Sequence, residues 1–73
     1  MKITVQSTSK LVTVDGVPAR VWQGHTEDGI AVHCFITRIG VDKDEDCSRF
    51  EADLKECAAP TEEVAAIPSR LAL

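Results

Sequence analysis

The chain has 73 residues, 44% of them hydrophobic and 27% charged, and its net charge at pH 7 is −4. This length limits it to one small domain with a thin core, and the composition is that of a folded globular protein. The chain is too short for a two-domain enzyme, and no apolar run approaches the roughly 18 residues of a membrane span. It lacks the cluster of Lys and Arg that a phosphate backbone requires. We therefore expect no membrane insertion and no nucleic-acid binding. Met1-Lys2 is followed by alternating residues rather than a hydrophobic block, so we also expect no secretory signal.

Residues 1–41 predict an antiparallel sheet. Alternating residues indicate a strand over 2–7, which a bend or bulge at Ser7-Thr8-Ser9 interrupts before it resumes over 10–14. The dipeptide Asp15-Gly16 predicts a tight hairpin turn, because glycine accepts the positive φ that such a turn requires. A second strand follows over 17–26.

Thr26-Glu27-Asp28-Gly29 predicts a second hairpin turn. It leads into the longest and most apolar strand, residues 30–39, which we expect at the centre of the sheet. Two registers are open for this hairpin. A three-residue loop places Trp22 opposite Cys34, whereas a two-residue loop shifts the register by one and places Trp22 opposite Phe35.

Residues 42–59 predict the main helix. The apolar positions at helical spacing form one stripe that is able to cover one face of the sheet: Cys47, Phe50, Leu54 and Cys57. The acidic residues before the stripe suit a helix N-terminus, and Ser48, Asp44 and Asp46 are alternative caps. Pro60 ends the helix.

Residues 60–73 predict a short helical turn and a tail. Thr61 caps the turn, which runs from Glu62 to Ile67, and the apolar tail pairs as an edge strand or docks elsewhere. The predicted fold is a single α+β domain, residues 1–73. It is a three-stranded antiparallel β-meander packed by one α-helix, with a short C-terminal helical turn and tail.

One helix covers only one face of such a sheet, and the strands carry apolar residues on both faces. In the three-residue-loop register the uncovered face carries Val17, Ala19, Val21 and Phe35. A homodimer, the C-terminal tail or a foreign partner can each bury this patch, and we expect self-association first.

The motifs of catalysis and metal binding are missing. Three cysteines without a CxxC pair indicate a reducing, cytoplasmic compartment with buried thiols. Asp42, Asp44 and Asp46 resemble the start of a calcium-binding loop, but Cys47 stands where that loop needs glycine. With no phosphate-binding loop, zinc-protease motif or Ser/His/Asp arrangement, we expect no catalytic residue, no metal and no cofactor.

Basic side chains on the strands form an alternative ligand site. His25 and His33 flank the second turn and share a face only in the three-residue-loop register, where they would bind a metal ion or, when protonated, an anion. Arg20 and Arg38 lie on neighbouring strands and add positive charge. This set predicts, as the alternative function, a small-ligand or nucleotide-binding module at a homodimer interface.

Residues 3–41, with the strands VDGVPARVW and EDGIAVHCFITRI, and the later run AAPTEEVAAIPSRLAL resemble small accessory proteins of bacteriophages and prophages of Gram-negative bacteria. The resemblance is one of overall pattern, covers most of the chain and carries no catalytic motif. It implies a cytoplasmic protein of an infected or lysogenic cell. Such proteins bind and modulate host or phage proteins, including CRISPR and other host-defence components.

The expected function is therefore non-enzymatic protein binding by a cytoplasmic homodimer. The lone Trp22 is a natural anchor for a protein partner, and its companions on the long hairpin are Arg20, His33 and Phe35. An acidic set either mimics a nucleic-acid backbone toward a basic groove or is a solvated helix face: Asp44, Glu45, Asp53 and Glu56. A virion structural or assembly role is a further alternative.

Overall fold

A computed structural model describes all 73 residues. The predicted α+β class is confirmed: a mostly antiparallel sheet of four strands accompanies two short helices, neither long and apolar enough to cross a membrane. The elements in chain order are β1 (Ile3–Val14), β2 (Val17–Thr26), β3 (Ala31–Ile36), α1 (Cys47–Leu54), α2 (Glu62–Ala65) and β4 (Arg70–Leu71). The sheet has a fourth strand because the C-terminal tail pairs with β1 in parallel.

The strand order is β3-β2-β1-β4, which places β3 at one edge. The prediction of a central strand over residues 30–39 is therefore wrong. The tail adds β4 beside β1, at the edge of the sheet farthest from β3. β3 therefore pairs only with β2. The apolar character of β3 reflects partial burial on both faces: Phe35 packs against the core and Ile36 is half-buried on the other face.

The first hairpin turn forms where it was predicted. Asp15 and Gly16 both have positive φ, 48° and 83°, which is the two-residue geometry that matches the twist of a hairpin. Pro18 follows in β2 and cannot donate a hydrogen bond. β3 pairs with β2 only as far as Arg20, so Pro18 lies beyond the end of that ladder.

The second hairpin resolves the open register. Gly29 has a φ of 82°, and the Thr26 N–H donates to the Ile30 carbonyl oxygen at 3.0 Å, which closes a three-residue loop. Trp22 consequently lies opposite Cys34. The three-residue alternative is the one that forms.

β1 contains the predicted bulge, between Ser7 and Leu11. Thr8 lies in it and is fully buried. Its hydroxyl donates to the Val21 carbonyl oxygen at 2.6 Å and accepts from the Lys10 N–H at 3.2 Å. The buried polar group is thus satisfied, as a buried hydroxyl must be to avoid a desolvation cost.

The same bulge binds the segment that precedes α2. The Ala58 N–H donates to the Ser7 carbonyl oxygen at 2.8 Å, and the Ser9 N–H donates to the Ala58 carbonyl oxygen at 3.2 Å. Further along β1, the Thr13 N–H donates to the Ser69 carbonyl oxygen at 2.8 Å. The C-terminal segment is therefore attached to β1 at two separate places.

The core lies between the sheet and this C-terminal segment. Its buried hydrophobic residues are Val12, Ala19, Val21 and Val64, and its half-buried neighbours are Val14, Phe35, Ile67 and Leu71. We call the side of the sheet that carries Val12, Ala19, Val21 and Phe35 the tail face. Of the three predicted covers for this patch, the structure shows the intramolecular tail, although Val17 remains exposed.

The α1 helix differs from its prediction in length and in burial. It covers Cys47–Leu54 instead of residues 42–59 and buries no residue. The helix ends early because the following residues bind the bulge, where the Ser7 hydroxyl donates to the Glu56 carbonyl oxygen at 3.1 Å. The prediction that this helix supplies the main cover of the sheet is wrong, since the buried helical residue is Val64 of α2.

All three cysteines are free thiols. Cys34 is half-buried in β3, whereas Cys47 and Cys57 are exposed. The prediction of buried thiols is wrong for the last two, because the apolar stripe that contains them is not packed into the core.

The position of α2 in the core predicts a clear stability difference. Val64→Ala removes two methyl groups from a buried site, so the free energy of unfolding should fall by about 2 kcal/mol. The control is Leu73→Ala, which truncates a side chain that is 80% exposed and should change stability by less than about 0.5 kcal/mol. Denaturant unfolding followed by circular dichroism measures both. Equal small losses would contradict the placement of α2 in the core.

Candidate functional site

The side of the sheet opposite the tail face carries the lone tryptophan, and we call it the Trp22 face. Cross-strand pairing places Leu11, Arg20 and Ile36 in one row across β1, β2 and β3. Trp22 lies in the next row, opposite Cys34. The alternation of side chains along each strand thus separates these residues from the core residues that lie between them in sequence.

A groove of about 310 Å³ lies on the Trp22 face. Its floor includes Trp22 and Ile36 from the sheet, and Phe50 and Leu54 of α1 form part of its wall. Eight of the twelve residues that line it are hydrophobic. Two residues of the predicted helical stripe, Phe50 and Leu54, therefore border a groove rather than a closed core.

Two arginines supply the only charged side chains in the lining, Arg20 and Arg38. Acidic side chains are absent from the lining although the chain contains 12 of them. One guanidinium nitrogen of Arg20 donates to the Thr8 carbonyl oxygen at 2.8 Å, which fixes the side chain beside the groove. An apolar groove with two guanidinium groups suits an apolar ligand that carries a carboxylate or another anion.

A second, more polar hollow of about 700 Å³ lies at the other end of the sheet. His25 and His33 line it together with Glu63 of α2. The His33 ring packs edge-to-face on Phe35, with 5.4 Å between ring centroids. The structure contains no group of three His, Cys, Asp or Glu side chains that could hold a metal ion.

Gln23 also borders this hollow, but its amide is engaged by the chain itself. Its side-chain oxygen accepts from the Thr61 N–H at 2.9 Å, and its side-chain nitrogen donates to the Ala59 carbonyl oxygen at 3.1 Å. Thr61 is the N-cap of α2, as predicted. The role of Gln23 is therefore to hold the start of α2 against the sheet.

The structure divides the predicted site residues between the two faces. Arg20 and Trp22 lie together on the Trp22 face, whereas His33 and Phe35 belong to the opposite face, where Phe35 packs against the core. Arg38 joins Arg20 at the groove, and the two histidines line the other hollow. The four residues of the alternative ligand site thus form two separate pairs.

The four acidic residues predicted as partner contacts lie outside both cavities. All four are exposed: Asp44, Glu45, Asp53 and Glu56. The first two precede α1, the third lies within it and the fourth follows it. Of the twelve groove residues the sequence analysis named only Arg20, Trp22 and Arg38 as site residues, and those it missed include Leu11, Ile39, Phe50 and Leu54. The helical stripe was the available signal for the last two, but it was assigned to the core.

Comparison with known proteins adds no relative to this description. No protein-family model matches the chain, and no significant match was found among curated proteins or solved structures. The proposal that follows therefore depends on the chemistry of the groove.

The start of α1 predicts a pH-dependent change next to the groove. The Asp46 carboxylate accepts from the Ser48 hydroxyl at 2.6 Å and from the Arg49 N–H at 3.1 Å. These hydrogen bonds, that of Ser48 foremost, lower the pKa of Asp46 below its ordinary value of 3.8. Since the folded pKa is lowered, the stabilisation of α1 by Asp46 is complete well above pH 3.8 and is lost as the pH falls through the folded pKa.

The chemical shift of the Arg49 amide, followed by NMR during acidification, measures this loss. Asp46→Asn is the matched control, because asparagine caps a helix but does not titrate. We expect an acid titration step in the wild type that disappears in this variant. The same step in both proteins would contradict the assignment of the cap to the Asp46 carboxylate.

Proposed function

We propose that the protein is a non-enzymatic binding module whose groove on the Trp22 face takes up an apolar segment of a protein partner. The observation that carries this proposal is an open, mostly hydrophobic groove built around the lone tryptophan and two arginines. Clefts of this kind, with few charged groups in an apolar lining, favour binding over solvation.

Exposed apolar side chains around the groove support the proposal. Leu11 is 61% exposed and Ile39 is 41% exposed, and both line it. A small protein has few apolar side chains available for its core. Apolar side chains that face water add nothing to its stability. Trp22, which is half-buried in the floor of the groove, is the natural anchor, because tryptophan is enriched among the residues that dominate binding energy.

Charge defines the chemistry of the partner segment. Arg20 and Arg38 offer two cationic groups at the groove, whereas the rest of the chain is strongly acidic. A partner segment with apolar side chains and a neighbouring carboxylate fits both features. A uniformly acidic partner surface would be repelled by the remainder of the molecule.

The resemblance to phage and prophage accessory proteins supplies the biological context of the proposal. It favours a host or phage protein as the partner, met in the cytoplasm of an infected or lysogenic cell. Inhibition of a host-defence component is one form that such binding takes. The four exposed acidic residues near α1 would then face a basic part of the same partner.

Capture of a partner from a lysate of Gram-negative bacteria, with mass spectrometry of the eluate, tests the proposal when wild type and variants are compared. Trp22→Ala should weaken binding of a captured protein by about thirtyfold, which is the effect of losing an anchor worth roughly 2 kcal/mol. Ile30→Ala is the control, because Ile30 is 61% exposed, as is Leu11 of the groove, but lies outside the groove. Capture that Trp22→Ala leaves unchanged would contradict the proposal.

A small apolar anion is the second candidate occupant. The volume of the groove lies at the lower end of the range for small-molecule sites, and the two arginines would bind a carboxylate or phosphate. Native mass spectrometry of the purified protein distinguishes the two. A retained small molecule that is lost on Trp22→Ala would favour this candidate over the protein partner.

A further inference from the structure

We propose that β3 is a pairing edge. Two copies of this chain would join their β3 strands in antiparallel fashion about a two-fold axis at His33 and continue the sheet from one copy into the other. The proposal concerns the sheet edge rather than the groove, so it stands independently of the proposed function.

The backbone groups on the outer side of β3 have no partner within the chain. The hydrogen bond from Thr26 to Ile30 starts an antiparallel ladder in which every second residue of β3 faces β2. The intervening residues, Ala31, His33 and Phe35, therefore direct their N–H and carbonyl groups away from β2. None of the hydrogen bonds outside the ladders involves residues 31–36.

β3 also lacks the features that normally keep a sheet edge from pairing. Edge strands are usually protected by lysine, proline, a bulge or extreme shortness. The six residues of β3 include no charged residue and no proline, and the register with β2 is regular. The opposite edge, β4, is only two residues long. It pairs only with Thr13 and Val14, and Ala58 bonds β1 at the bulge, so residues 3–6 of β1 are also open on their outer side. β3 is the longer of the two open edges.

Symmetry and hydrogen bonding select the register. A two-fold axis perpendicular to the sheet keeps each face of the sheet on its own side. Such an axis passes beside a residue rather than between two residues. The two residues at the middle of β3 are His33 and Cys34. An axis at His33 pairs Ala31 with Phe35 of the second copy and His33 with itself, which uses every outward group of β3 in about six hydrogen bonds. An axis at Cys34 leaves the outward groups of Ala31 without a partner in the strand.

The side chains of β3 are compatible with self-pairing in this register. The bulky Phe35 meets the small Ala31 on the tail face, and Val32 meets Cys34 on the Trp22 face. The only large side chains that face each other directly are the two exposed His33 rings at the axis. β3 contains no Asp, Glu, Lys or Arg, so no such charges meet across the pair. Because the axis preserves faces, the two grooves of such a dimer open on the same side of one continuous sheet.

Sedimentation equilibrium over a range of protein concentrations tests the proposal. The wild type should dimerise, and His33→Pro should be monomeric, because proline removes the outward N–H at the axis. His33→Ala is the matched control: it removes the side chain but keeps the N–H, so it should dimerise like the wild type. A monomeric wild type, or a His33→Pro variant that stays folded and dimeric, would overturn the proposal.

A cross-linking variant tests the register without relying on proline. Cys47 and Cys57 are exposed and are first replaced by serine. In that background Val32→Cys lies opposite Cys34 of the second copy, within disulfide range, so mild oxidation should produce a covalent dimer. The background without Val32→Cys should remain uncross-linked, since its Cys34 residues are diagonal to each other. Efficient cross-linking in that background would place the axis at Cys34 and overturn the register.

Discussion

The hydrogen bond from the buried Thr8 hydroxyl to the Val21 carbonyl oxygen is the interaction on which the arrangement of the molecule depends. It holds the bulge in β1, where the ladder to β2 is interrupted. Main-chain groups released at this bulge bind Ala58, which directs the C-terminal segment onto one side of the sheet. Because the Arg20 guanidinium donates to the Thr8 carbonyl oxygen, the same bulge also positions a side chain at the groove.

The division into two unlike faces follows from this attachment. The C-terminal segment covers one face of the sheet, and small domains bury a limited fraction of their surface. That segment is committed to the tail face, where Val64 completes the core. The Trp22 face consequently keeps an open apolar groove, and the proposed function assigns this exposed surface to a partner.

Local features of the fold were readable from the sequence, and features that depend on competition between distant segments were not. Gly16 and Gly29, which both have positive φ, predicted the two turns, and Thr61 predicted the start of α2. The sequence did not predict which of the two helices, α1 or α2, packs on the core face of the sheet. α1 has the longer apolar stripe, whereas α2 contributes Val64 from a helix of four residues that shows no periodicity. The attachment of Ala58 to the bulge decided that competition through main-chain hydrogen bonds, which leave no pattern in the side chains.

The part of the candidate site that lies on the hairpin was predictable from the sequence, and the part that α1 contributes was not. The three-residue hairpin register, one of two considered, brings Arg20, Trp22 and Ile36 onto one face. The contribution of Phe50 and Leu54 to the groove could not be anticipated, because a stripe that faces a closed core and one that borders a groove have the same spacing.

Native-state hydrogen exchange at Ser9, Thr13 and Ala58 tests the central claim that the tail and the sheet fold as one unit. These amides should exchange as slowly as the β1–β2 ladder. Much faster exchange would show that the tail detaches on its own and would contradict the account.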